Sequence, residues 1–180
     1  MPNWVSNELV LTGPPAALEA ALEALGDRES EDQSRRLLNF SQVAPIPATI
    51  QSQEPDGAGC FFGEHGDGAM DSECWTVRHW GSTTNALWTS VEGSPAEGFL
   101  RYEFSTAWTP ARPILEVISS LLPSLSIDFA FVEPNTDVAG RDRYSPGFFW
   151  GKADAALDEE LCRAVLGDSV LASYLAHDQS

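Results

Sequence analysis

The sequence predicts an α+β domain, and three observations carry that expectation. Segments of alternating polar and apolar residues recur between residues 6 and 133, as strands with one buried face require. Two strongly amphipathic helical segments interrupt them. The order strand, helix, insertion, strand, strand, helix, strand is that of a split β-α-β unit in an antiparallel sheet.

SNELVLT (6–12) alternates through Leu9 and Leu11, stops at Gly13 and reads as the first strand. PPAALEAALEALG follows as a helix. Pro14 and Pro15 suit its first turn, Leu18, Leu22 and Leu25 form one stripe, and Gly26 ends it. DRESEDQSRR (27–36) is charged and solvated, and LLNFSQVAPIP (37–47) is apolar until Pro45 and Pro47 cut it off. The polar, glycine-rich stretch 48–73 reads as a long loop. Residues 74–80 fit two structures. Trp75, Thr76 and Val77 allow a strand, whereas Asp71 as N-cap and Gly81 as terminator allow a short helix.

Segments 86–93 and 98–108 are expected strands joined by a turn at Ser94-Pro95. TPARPILEVISSLLP is the second helix, with Thr109 as N-cap, Pro110 at its first position, and Ile114, Leu115, Ile118, Leu121 and Leu122 facing the core. LSIDFAFVE (125–133) alternates Leu125, Ile127, Phe129 and Phe131 as a strand. YSPGFFWG (144–151) suits a further hairpin strand. DAALDEELCRAVLG suits a helix that has Asp154 near its start and docks Leu157, Leu161 and Leu166 on the sheet. The expected fold is ferredoxin-like, an antiparallel sheet with helices on one face in a single domain over 1–180. A polar, acidic insertion spans 27–73, and a C-terminal helical extension spans 153–175.

Composition excludes several function classes. With 43% hydrophobic residues the chain can bury a core. No apolar run approaches the roughly 18 residues of a membrane span. The opening MPNWVSNELVLTG lacks the basic and apolar regions of a secretion signal. Three scattered cysteines are too few for a disulfide framework and suit a reducing cytoplasm. Asp and Glu number 27 against 10 Lys and Arg, a net charge of −17. That sign argues against direct binding of nucleic acid or an anionic membrane, since both need basic side chains. A basic protein, a metal, a neutral ligand or no electrostatic partner remains.

Several ordered stretches resemble a known family. They are the opening MPNWVSNELVLTGPPAALEAAL, FSQVAPIP (40–47), His79-Trp80-Gly81-Ser82-Thr83, FSTAWTPARPILEVIS (104–119) and EPNTDVAG (133–140). Together they resemble the phage- and plasmid-borne proteins that contain the YubB-type ferredoxin-like domain. The chain departs from that pattern at Val5, where the family has Cys, and at Ser82 and Thr83, where it has Thr-Lys. The resemblance implies a ferredoxin-like α+β fold and a mobile-element setting. It supplies no catalytic residue, implies no iron–sulfur cluster, and favours a helix ending at Gly81.

The stretch CFFGEHGDGAMDSECWTVRHWG (60–81) suggests metal ligands as Cys60-x4-His65 and Cys74-x4-His79. Cys74 and His79 are five apart, which in a helix leaves them about 140° out of alignment and in a strand puts them on opposite faces. A metal-binding module or metal-dependent enzyme would therefore centre on Cys60, His65 and Asp67. Cys162 reads as a core residue, and no nucleotide-binding or nucleophile motif is present, so no cofactor or catalytic residue is expected. Trp4, Trp80 and Trp108 read as buried anchors, or alternatively as the rim of a ligand pocket. Asn7, Thr106, Glu133 and Gly140 read as turn and cap residues.

Between Arg36 and Arg101 only Arg78 is basic, while Glu54, Asp56, Glu64, Asp67, Asp71, Glu73, Glu92 and Glu97 are acidic. These residues are the expected partner-binding set. Their partner would be the basic surface of a host nucleic-acid-binding complex, which the protein would inhibit by nucleic-acid mimicry or steric blocking as an anti-CRISPR or other anti-defence protein. A solvated acidic loop without a partner is the plainer alternative.

Overall fold

The computed structural model describes residues 2–51, 71–133, 138–145 and 148–156. The elements are β1 (Trp4–Thr12), α1 (Pro15–Leu25), α2 (Gln33–Leu37), α3 (Phe40–Val43), α4 (Ala48–Gln51) and α5 (Ser72–Trp80). They continue with β2 (Leu87–Ser94), a 3-10 turn (Pro95–Glu97), β3 (Phe99–Ala107), α6 (Arg112–Leu121), β4 (Ser126–Glu133), β5 (Val138–Ser145) and β6 (Phe148–Ala156). The sheet runs in the order β2-β3-β1-β4-β5-β6, and every neighbouring pair is antiparallel. Its first four strands form the ferredoxin-like arrangement, with α1 and α6 as the crossover helices.

Alternation on the central strands builds the core. In β1, Val5, Leu9 and Leu11 are buried, and across the ladders Leu9 faces Tyr102 and Phe129 while Leu11 faces Leu100 and Ile127. Leu18, Ala21 and Leu25 of α1 and Ile114, Leu115 and Ile118 of α6 pack on the same cluster. Each fully buried Leu, Ile or Phe side chain stabilises by about 1.5–3 kcal/mol relative to exposure. The opposite sheet face carries the even-numbered residues of β1 and the odd-numbered residues of β3.

Local chemistry resolves the two readings of 74–80 in favour of the helix. The Asp71 side chain accepts from the Cys74 N–H at 2.7 Å, and Gly81 closes α5 at φ 87° with its N–H directed to Thr76 and Val77 carbonyls. Within the insertion, α2, α3 and α4 replace the simple solvated segment and loop expected there. Asp32 and Asn39 cap α2 and α3, and Asn85 Nδ2 donates to Asn39 Oδ1 at 2.7 Å while Asn85 Oδ1 accepts from the Phe40 N–H at 2.9 Å. The α2 helix lies along β2, where Ser34 Oγ accepts from the Thr89 N–H at 3.1 Å. It thereby covers part of an edge strand, an arrangement that blunts edge-to-edge pairing.

Three expectations need correction, and one strand is added to them. The α6 helix starts at Arg112 with Ala111 as its cap, because the Thr109 hydroxyl is engaged by the Gly81 carbonyl. Leu121 lies on the flank of the apolar stripe and is exposed. The segment 138–145, which carries no strand pattern of its own, is the added strand, because β4 supplies a pairing partner and that pairing overrides weak local propensity. Residues 153–156 belong to β6 through pairing with β5, so the expected helix does not begin there. Its remainder, 157–175, lies outside the described residues.

The cysteines also depart from expectation, since Cys74 is disulfide-bonded. Cys60 and Cys162 lie outside the described residues. Scatter along the sequence says nothing about proximity in space, which alone decides whether two sulfurs can bond. No described helix is long and apolar enough to cross a membrane.

Candidate protein-binding surface

A polar network fixes the end of the sheet where β1 begins and β3 finishes. Buried Asn7 donates through Nδ2 to the Val5 carbonyl and to Thr106 Oγ1, both at 3.0 Å. Thr106 Oγ1 in turn donates to the Thr109 carbonyl at 2.8 Å, and Thr109 Oγ1 donates to the Gly81 carbonyl. Ser82 Oγ donates to the Ala107 carbonyl at 3.0 Å, and Thr84 Oγ1 accepts from the Ala107 N–H at 3.1 Å. Asn7 and Thr106 are thus strand-interior residues joined across β1 and β3 by the Asn7 Nδ2 to Thr106 Oγ1 bond, and the turn-and-cap reading of them is corrected. Glu133 is the buried last residue of β4. Gly140 lies within β5 opposite Phe131, and a Cβ there would sit 2.3 Å from the Phe131 ring, so the position requires glycine.

This clamp flanks Trp4 and Trp108, and a bulge in β2 brings Trp88 beside Trp4. Trp108 follows β3 in the left-handed region at φ 71°, and its N–H donates to the Asn3 carbonyl at 2.8 Å. Trp4 projects from the sheet face opposite the core. Trp88 sits in the register shift between Leu87 and Ser90 at φ 52°, and its ring meets Trp4 edge-on with centroids 4.7 Å apart. A bulky residue at positive φ is rare, and such backbone strain costs about 1–3 kcal/mol. Yet Trp88 is 65% exposed, so little burial offsets that cost. The expectation of buried tryptophans holds for Trp80, whose Nε1 donates to the Ala44 carbonyl at 2.9 Å, but Trp108 is 37% exposed. Sequence reasoning passed over Trp88, because only the bulge turns it outward.

Charges occupy the rest of this face. Glu8 pairs with Arg101 at 3.6 Å, and Arg141 and Arg143 both converge on Asp128, at 2.6 and 3.2 Å. Burial pushes the Glu8 carboxyl above its usual range, opposed by Arg101 and reinforced by Glu103 directly across the ladder. Glu103 is exposed and has no ion-pair partner among the described residues. On the other face, Arg112 grips buried Asp142. Arg28 pairs with Glu23 and Arg35 with Asp32. Six of the described arginines are therefore held by carboxylates of the same chain.

The predicted acidic set is not assembled into one cluster. Glu54, Asp56, Glu64 and Asp67 lie outside the described residues. Asp71 is 5% exposed and serves as the α5 cap, so it is unavailable to a partner, which corrects its placement in the set. Glu73 is in the first turn of α5, Glu92 is exposed on β2 opposite Arg101, and Glu97 is exposed in the 3-10 turn, where it accepts from Ser94 Oγ at 2.6 Å. Of the metal candidates, Cys60, His65 and Asp67 lie outside the described residues. Cys74 and His79 diverge on α5 as the helical period requires, and the His79 ring stacks on Trp75 with centroids 4.3 Å apart. Among the described residues no three His, Cys, Asp or Glu are grouped to hold a metal.

Residues 85–160 match the family model described as the ferredoxin-like domain in Api92-like protein. Among solved structures, the chain is similar to protein api92 from Yersinia pseudotuberculosis, with 11% identity and a TM-score of 0.49. That match covers 86% of this chain and 98% of the other. No curated protein matches the chain.

Proposed function

We propose that this chain is an acidic, non-enzymatic accessory protein of a mobile element. In this reading it binds the basic surface of a host nucleic-acid-handling complex in the cytoplasm and inhibits it by steric blocking or nucleic-acid mimicry, in the manner of an anti-CRISPR or other anti-defence protein. One observation carries the reading. At a net charge of −17, six described arginines are already held by carboxylates of the same chain. Little positive surface is left to meet phosphates, while the acidic excess would speed encounter with a positive groove. The mobile-element setting rests on the resemblance of the sequence motifs.

The test has two stages. The protein is used to capture partners from host lysate at moderate salt, and the captured complex is then assayed for nucleic-acid binding. The expected result is a basic partner that releases its nucleic acid as the protein is added. A partner that keeps its nucleic acid and its activity would overturn the inhibitory reading.

A further inference from the structure

We propose that Trp4, Trp88 and Glu103 form one docking strip, and that its occupant is an extended, arginine- or lysine-bearing segment of a basic protein. The inference rests on the basic-partner reading and states where on this chain the partner sits. Trp88 is bulky, 65% exposed and held at φ 52°, with its indole 4.7 Å from that of Trp4 and inclined to it at 69°. Apart from that one ring contact Trp88 is left to solvent, and strain of this kind gathers where a surface is used. Exposed indole faces attract guanidinium and ammonium groups.

Charge complementarity selects the occupant. Along the same face Trp4 stands opposite Ala107 and Glu8 opposite Glu103, with Ser6 and Ser105 on the rung between. Four residues of strand span roughly 13 Å, which separates the Trp4 rung from the Glu103 rung, while Trp88 on β2 lies between the rungs of Ser105 and Glu103. An extended segment has the same rise. A cation seated on the indoles and a second one two to four positions along would therefore reach the strip's two anchors together. Glu103 has no ion-pair partner among the described residues, whereas Glu8 is already bound to Arg101. A second copy of this chain is disfavoured as occupant, because each copy carries a net charge of −17.

The experiment titrates the full chain with a nine-residue peptide of alternating arginine and serine. The same peptide with citrulline in place of arginine keeps the shape without the charge. Tryptophan indole N–H resonances are followed by NMR. The expected result is selective movement of the Trp4 and Trp88 signals with the arginine peptide alone. Binding should weaken about tenfold in Trp88→Asn and severalfold in Glu103→Gln. Trp88→Asn should also keep or raise the melting temperature, since asparagine tolerates the left-handed region. Trp4→Leu gives an independent reading of the same strip. If the arginine peptide binds but Trp88→Asn and Trp4→Leu bind it equally well, the strip is wrong and the basic-partner reading survives. If arginine and citrulline peptides behave alike on the wild type, both fall.

Discussion

Arg112 and Asp142 hold each other at two points, Nε to Oδ2 at 2.8 Å and Nη2 to Oδ1 at 2.9 Å, with Asp142 fully buried. The guanidinium also lies 4.6 Å from the centre of the Phe131 ring. Removing one partner strands a charge inside the protein. Asp142→Ala should therefore cost about 3–5 kcal/mol in urea unfolding, whereas replacing both by Arg112→Met and Asp142→Leu should recover much of the loss. A single variant within about 1 kcal/mol of wild type would show the pair to be dispensable.

Two glycines at positive φ separate backbone strain from crowding. At Gly81 (φ 87°) a Cβ would lie 2.5 Å from Pro113 Cδ and 2.6 Å from the Pro110 carbonyl oxygen. At Gly98 (φ 80°) it would meet nothing within 4 Å. Gly81→Ala should destabilise by about 2–4 kcal/mol, combining strain with overpacking, and Gly98→Ala by only about 1 kcal/mol. Equal losses in thermal or chemical unfolding would contradict the packing of the α5 terminus against the start of α6.

The tyrosines govern the alkaline limb of stability. Burial pushes the Tyr144 hydroxyl up to about 12, with the Asp142 and Glu116 carboxylates adding to the rise and Arg112 opposing it. Burial alone holds Tyr102 well above its usual value. Both are neutral acids that ionise less readily in the fold than in the unfolded chain. The Tyr144 contribution is full below about pH 10 and is lost as pH rises through about 12. Tyr144→Phe should flatten that decline. Tyr102 Oη is buried without a hydrogen-bond partner among the described residues, so Tyr102→Phe should be neutral or stabilise by about 1 kcal/mol at neutral pH. A marked loss of stability in Tyr102→Phe would reveal a bond to that hydroxyl.

The bonded state of Cys74 has a simple readout. Of three cysteines, one disulfide leaves one thiol, so titration of the unreduced, denatured protein should find one free thiol per chain. Cys74→Ser should free the former partner and give two. Three thiols in the wild type would mean that the bond does not form under the conditions of purification, as a reducing compartment would ensure.

Much of the fold was legible in the sequence because its signals are local. Period-two alternation in 6–12, 98–108 and 125–133 marked the central strands, and the apolar stripes marked α1 and α6. Asp71 and Gly81 bracketed α5 because capping depends on a few adjacent residues. By contrast, β5 and the latter part of β6 owe their structure to pairing with a neighbouring strand, which no local pattern reports. The candidate surface was only partly visible. Trp4 and Trp108 stood out within motifs, but Trp88 did not, and its outward direction comes from a one-residue register shift against β3.

The sequence by itself determined the charge, the fold class and the residues that alternate into the core, since each follows from composition or short-range periodicity. Tertiary structure alone decided which carboxylates are used. Asp71 is a buried cap, Asp142 is locked to Arg112, Asp128 is shared by two arginines, and Glu103 stays exposed. The physical reason is that a carboxylate's availability depends on desolvation and on the cations and N–H groups that reach it. Those neighbours are brought together by strands and helices far apart in the chain.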